Sequence, residues 1–289
     1  VVKESFGILR SELECHGVIF AGGVMGTIPL LLKLKEGSLP RLSNQVGRHI
    51  RTNNEALISV TSLDKKKDFT KGLAIGSILN TDEHSHLEPC RYGKGSGFFQ
   101  WLGLPISHGR NGAIRLLKTV PALLKHFSFY LRVPFRKDYS TGTVVLLFMQ
   151  HLDSTIRFTR GKFGGLKSKV ETGKRPTSQI PRAKELSEYF EKVVKGKSYT
   201  LALETVLGSP TTAHILGGCV MGSNDTNGVI DKNNSVYNYK NMYVCDGSAI
   251  SANPGVNPSL SITAISERAM SLINPKTKTV TEKKDLLTK

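Results

Sequence analysis

No run of apolar residues in this sequence reaches the length that crosses a bilayer. The opening VVKESFGILRSELECHG lacks the charged and apolar regions of a secretory signal. It also lacks an initiator methionine, which fits a start inside a longer protein. Cysteine is scarce and scattered. Cys15, Cys90, Cys219 and Cys245 show no CxxC spacing, which argues against a disulfide framework and against a zinc cluster. A reducing, cytoplasmic compartment is the expectation, and no internal repeat is visible. Acidic side chains are the other shortage: 23 against 40 lysines and arginines, for a net charge of +17. Such a balance attracts nucleic acid, anionic lipid or phosphate. The charge is spread, however. Its local concentrations at 65–67, 192–197 and 276–289 read as solvated loops and a disordered Lys/Thr-rich tail. Nucleic acid is therefore not an expected partner, whereas weak peripheral attraction to an anionic membrane is.

What is present suffices for a sizeable core: 39% hydrophobic residues in 289 allow one large domain or two medium ones. A short apolar strand at 15–20 meets Ala21-Gly22-Gly23-Val24-Met25-Gly26 and then a helix to residue 32. That order mimics a dinucleotide fingerprint with Ala for the first Gly, but it also suits tight strand–helix packing, since no acidic residue follows about 20 positions on. Strands are expected at 54–63 and 71–79. Residues 111–127 have the spacing of a helix, with Ile114, Leu117, Val120, Leu124 and Phe127 on one face. That face either packs on a sheet, covers an apolar pocket as a lid, or touches a membrane surface beside Arg115, Lys118 and Lys125. Seven of the 21 aromatic residues fall between 98 and 135. The wholly apolar 143–150 predicts a central strand, paired as a hairpin with 155–159. Residues 161–176 read as a basic loop that fails as a P-loop because Leu166 precedes Lys167-Ser168. A helix is expected from 181 to 195.

Between these lies DEHSHLE, residues 82–88. If it is extended, His84, His86 and Glu88 share a face. Two imidazoles and a carboxylate could ligate a metal in a hydrolase. Alternatively Glu88, ahead of Pro89-Cys90, is a partly buried general base, or the face is only a polar sheet edge.

The stretch 211–268 organises the rest. It contains TTAHILGGCVMG, a short strand NMYVCD followed by Gly247, and Asn257-Pro258-Ser259 opening a helix, with Asn257 a good N-cap. Free backbone N–H groups at such a helix start receive anions. HILGGCVMG, VCDGSAISANPGVNPS and ITAISERAM resemble the C-terminal signature of the glucose–methanol–choline (GMC) flavin oxidoreductases, and most of all their cholesterol oxidase-like branch.

The resemblance implies an FAD-dependent oxidation of a CH–OH group on an apolar, sterol-like alcohol, with oxygen or another electron acceptor. His214 and Asn257 would orient the hydroxyl, and Glu88 would be the base of a steroid-type isomerisation. Asp246, Gly247, Asn257, Pro258, Ser259 and Gly217 would contact the flavin, and no resident metal is implied. The family's His-Pro is His214-Ile215 here, a form also seen in the cholesterol oxidase-like branch. The N-terminal GxGxxG that holds the FAD diphosphate does not occur, so an inactive fragment that needs its FAD-binding half is the alternative. The implied fold is α/β and α+β. Residues 1–50 and 206–275 would be segments of a Rossmann-like FAD domain, and 51–205 a mainly antiparallel substrate domain with helices on one face. Residues 276–289 would be the tail.

Overall fold

The computed structural model describes residues 2–3, 10–11, 14–101, 103–107, 109, 111–177, 180, 182–207 and 211–274. The expected tail at 276–289 lies outside them. In chain order the strands are β1 Val2–Lys3, β2 Arg10–Ser11, β3 Val18–Phe20, β4 Arg48–Arg51, β5 Ala56–Thr61, β6 Leu79–Asn80, β7 Ser85–Cys90, β8 Gly103–Leu104, β9 Thr143–Gln150, β10 Thr155–Arg160, β11 Leu166–Thr172, β12 Lys197–Leu201, β13 Leu216–Gly218 and β14 Met242–Val244. The helices are α1 Gly23–Lys35, α2 Gly112–Lys125, α3 Phe127–Arg132, α4 Ala183–Val194, α5 Ala202–Leu207 and α6 Ser259–Ser271.

An apolar strand with no polar face must be covered on both sides. β9 meets that requirement: all eight of its residues are buried. It lies inside a six-stranded antiparallel sheet ordered β6-β7-β9-β5-β12-β8. One face of this sheet presents Ile58, Val60, Leu87, Val144, Leu146 and Phe148. They share a core with Ala183 and Val194 of α4, against which Leu186 and Phe190 pack. The other face carries the site. A second core gathers Val24, Ile28 and Leu31 of α1 with Ile50, Phe158, Val229, Ile230 and Val244. A four-stranded sheet, β11-β10-β4-β13, and a parallel pair, β14-β3, complete the frame. The molecule is thus mixed α/β with largely antiparallel sheets, as expected.

Several local expectations are corrected. Residues 71–79 do not form a continuous strand: Gly72 takes φ +104°, Leu73 points outward, Ile75 makes an isolated bridge with Cys90, and strand pairing begins only at Leu79–Asn80. β10 is not the hairpin partner of β9. The 151–154 link carries the chain to the other sheet, where β10 pairs with β11 and β4. The supposed basic loop contains β11, an edge strand exposed along most of its length, with only Leu166 and Glu171 partly buried. α2 forms as expected, capped by Asn111, whose Oδ1 accepts from Ile114 N at 2.9 Å. Its apolar face, however, points to solvent and not onto a sheet.

Candidate active site

His214 follows a turn of small polar residues and precedes β13. Its Nδ1 lies 2.7 Å from Oε1 of Glu55, a carboxylate with no exposed surface. The same carboxylate accepts from Thr212 Oγ1 at 2.9 Å and from Ala213 N at 2.7 Å. A buried charge needs such partners. With the carboxylate as acceptor, Nδ1 carries the proton and Nε2 keeps its lone pair, a tautomer assigned from this bonding. Glu55 stands just ahead of β5, after Asn54 in a left-handed conformation at φ +47°.

Glu88 sits on β7 opposite Leu147 of β9, which is itself opposite Leu57 of β5. Opposed residues share a face, so Glu88 and the start of β5 lie two strands apart on one face, about 10 Å. Glu88 is buried. Its Oε2 accepts from Asn257 Nδ2 at 2.7 Å, and its Oε1 is 3.5 Å from His86 Nε2. Asn53, two residues before Glu55, donates to Val256 O at 3.2 Å and ties the 253–257 loop to the same face. The thiol of Cys90 registers both carboxylates: burial first, then Glu88, then Glu55 push it up to about 11. A cavity of about 20 Å³ lies on this face between Leu57, Tyr92, Val145 and Tyr199.

The expected row of three is broken. His86 and Glu88 adjoin, but His84 precedes the strand and its Nδ1 meets His151 Nε2 at 3.1 Å on the exposed side. Among the described residues no group of three His, Cys, Asp or Glu side chains could hold a metal ion, so the metal-hydrolase reading is not carried forward.

Asn257 does not cap α6. The helix begins at Ser259 with Pro258 in the cap position and no side-chain cap, while Asn257 Nδ2 donates to Glu88. The first-turn N–H groups are left to receive negative charge. The Asp246 carboxylate is fully engaged, by Gly23 N at 2.9 Å, Thr27 Oγ1, Ser248 N and Ser248 Oγ. Gly217, at φ +81°, makes room for the His49 carbonyl, and a side chain at Gly247 would meet Leu216 and Ile262. Both glycines allow close packing within the chain.

Residues 169–266 match the GMC oxidoreductase family model. Over that segment the chain is similar to the GMC oxidoreductases. Cholesterol oxidase from Acinetobacter baumannii is 38% identical over 275 residues, covering 94% of this chain and 50% of its own length. Cholesterol oxidase from Mycobacterium tuberculosis (strain CDC 1551 / Oshkosh) is 38% identical over 274 residues, covering 91% and 47%. The chain spans about half the length of the curated relatives it matches. An FAD-dependent oxidoreductase structure from Chaetomium thermophilum is similar at a TM-score of 0.48 and 13% identity, over 92% of this chain and 56% of that one. A flavin is the cofactor that this similarity implies. No helix of the described residues is long and apolar enough to cross a membrane.

Of the residues expected to act, Glu88 and Asn257 are bonded to each other, and His214 is bonded to a residue the sequence reading missed. Glu55 was hidden inside an expected strand at 54–63. The available signal was Thr52-Asn53-Asn54-Glu55, four polar residues directly ahead of an apolar run.

Proposed function

We propose that this chain supplies the catalytic face for FAD-dependent oxidation of a CH–OH group on an apolar, sterol-like alcohol, with oxygen or another electron acceptor completing the cycle. The observation that carries the reading is the pairing of His214 with buried Glu55 and of Asn257 with buried Glu88. Nε2 of His214 takes the hydroxyl proton, and Glu55 stabilises the imidazolium that results. Asn257, held by Glu88, orients the substrate oxygen. Glu88, on an apolar floor of Leu57, Val145 and Leu147, moves a proton if isomerisation follows. FAD, when bound, supplies the hydride acceptor at N5. The donor set suits it: Pro258 and Ser259 at the open start of α6 would face its negative charge, and Asp246 would act at one remove by fixing α1 and the 247–249 turn.

The test is turnover of the flavin-loaded protein. His214→Ala should cut it by about 10²–10⁴-fold with flavin retained. Glu55→Gln keeps the shape of the dyad but removes the charge and turns a donor toward Ala213 N, and a loss of the same order is expected. Full turnover in either variant would sink the reading.

A second reading has its own support. No GxGxxG cradle for the FAD diphosphate occurs in this sequence, and the parallel pair β3–β14 leaves Val18 and Ile19 half exposed. On this reading the chain binds FAD poorly by itself and needs a nucleotide-binding unit beside β3.

A further inference from the structure

Helix α2 is built inside out. The residues it buries are Arg115 (7% exposed) and Thr119 (0%), one turn apart. Arg115 donates to Thr205 O at 2.7 Å and to Gly109 O at 2.9 Å, and Thr119 Oγ1 donates to Ser107 Oγ at 2.9 Å. A polar seam therefore holds the helix to the body. Its apolar stripe is turned away: Leu117 is 72% exposed and Leu124 71%. Val120 lies between them, and α3 continues the surface with Phe127 and Leu131. Beyond it Phe135, 75% exposed, packs edge-on against Trp101, with ring centroids 5.9 Å apart. A soluble surface rarely shows so continuous an apolar ridge without a partner.

The charge around the ridge selects the partner. From residue 89 to residue 137 there is no Asp or Glu, while nine Lys and Arg occur. Lys125, Arg132 and Lys137 are exposed on or beside the ridge. A cleft of about 740 Å³ runs between α2 and α4, with Lys118, Lys125, Lys192 and Lys197 on its walls against Glu188 and Glu191. Nucleic acid would meet the cations but gain nothing from exposed leucines and a tryptophan. An anionic bilayer satisfies both, with leucine and aromatic side chains entering the acyl boundary and cations at the headgroups. We propose that α2, α3 and the Trp101–Phe135 pair form a docking face for an anionic lipid surface. The inference goes beyond the oxidation reading, since it uses none of the residues assigned to that reaction and needs no turnover.

Flotation of the purified 289-residue chain with vesicles of equal parts phosphatidylcholine and phosphatidylglycerol tests it. Co-flotation should be strong, weaken with salt, and fall at least about tenfold on pure phosphatidylcholine. Leu117→Gln with Leu124→Gln should lower partitioning at least about tenfold while circular dichroism and thermal unfolding stay unchanged, since both side chains are largely solvated already. Lys125→Glu with Arg132→Glu should do the same for the anionic vesicles. The proposal is overturned if the chain does not float, or if the leucine variant floats like the parent. It is also overturned if the variants abolish a concentration-dependent dimer and not lipid binding, if they abolish DNA binding alone, or if the flavin-loaded protein loses vesicle binding. Any of these would leave the His214 experiment untouched.

Discussion

His86 sits with its ring buried between Glu88 and the approach from His151. Burial lowers its affinity for a proton, Glu88 opposes that, and His151 adds to it, with a net pKa below the usual 6.5. The unfolded chain, whose histidines keep the ordinary value, then binds more protons in the window between 6.5 and the folded value. Stability therefore falls as pH drops through that window and levels off beneath it. Urea unfolding at a series of pH values should show this decline, and His86→Gln should flatten it. An unchanged slope in the variant would rule out His86 as its source. At this scale the sequence was informative where a residue has one kind of use. His214 before a Gly-Gly turn and Asn257 before Pro258 could be picked out, as could Glu88 by alternation along a strand. Glu55 could not, because its role depends on a segment 159 residues away.

The loop from Asn253 to Asn257 shows what one element contributes. Asn253 Nδ2 donates to Leu152 O at 3.2 Å, and Gly255 turns at φ +64° with its open side against His151. An added Cβ would collide with that side chain in a backbone region L residues avoid, so Gly255→Ala should cost about 1–3 kcal/mol. The control is Gly26→Ala inside α1, where a Cβ meets nothing within 4 Å. It should gain about 0.5–1 kcal/mol in the same denaturation assay. A Gly255→Ala variant as stable as the parent would show that the loop adapts, and with it the Asn257–Glu88 bond. Elements were legible where one residue pattern decides them, as in β9 and α4. They were not where long-range pairing decides. β10 joins the other sheet because β4 and β11 offer it partners, and α2 faces outward because Arg115 and Thr119 find hydrogen bonds on the body that its leucines do not.

The whole molecule presents an unfinished parallel sheet. β3 and β14 pair over three residues, Val18 to Phe20 with Met242 to Val244; an isolated antiparallel bridge from Ser235 to Tyr243 covers the far side of β14, and no described strand pairs with the outer edge of β3. Two parallel strands make a poor edge on their own, since parallel sheets are ordinarily covered and continued on both sides. Val18 and Ile19 are half exposed there, as are Met25 and Leu30 on neighbouring α1, and Leu260 at the open end of α6 is largely exposed. A nucleotide-binding α/β unit would extend the strands, cover these side chains and deliver a diphosphate cradle. The purified chain should therefore show little flavin absorbance after incubation with FAD. Co-expression with the GxGxxG-bearing half of a cholesterol oxidase relative should restore bound flavin and raise the unfolding midpoint, because a partner that binds only the folded state stabilises it by mass action. Replacing Val18 and Ile19 with lysine should prevent that rescue without unfolding the chain, since both already face solvent. Stoichiometric FAD on the isolated chain would refute the need for a second unit. Rescue that survives the lysine variants would place the joint elsewhere than at β3.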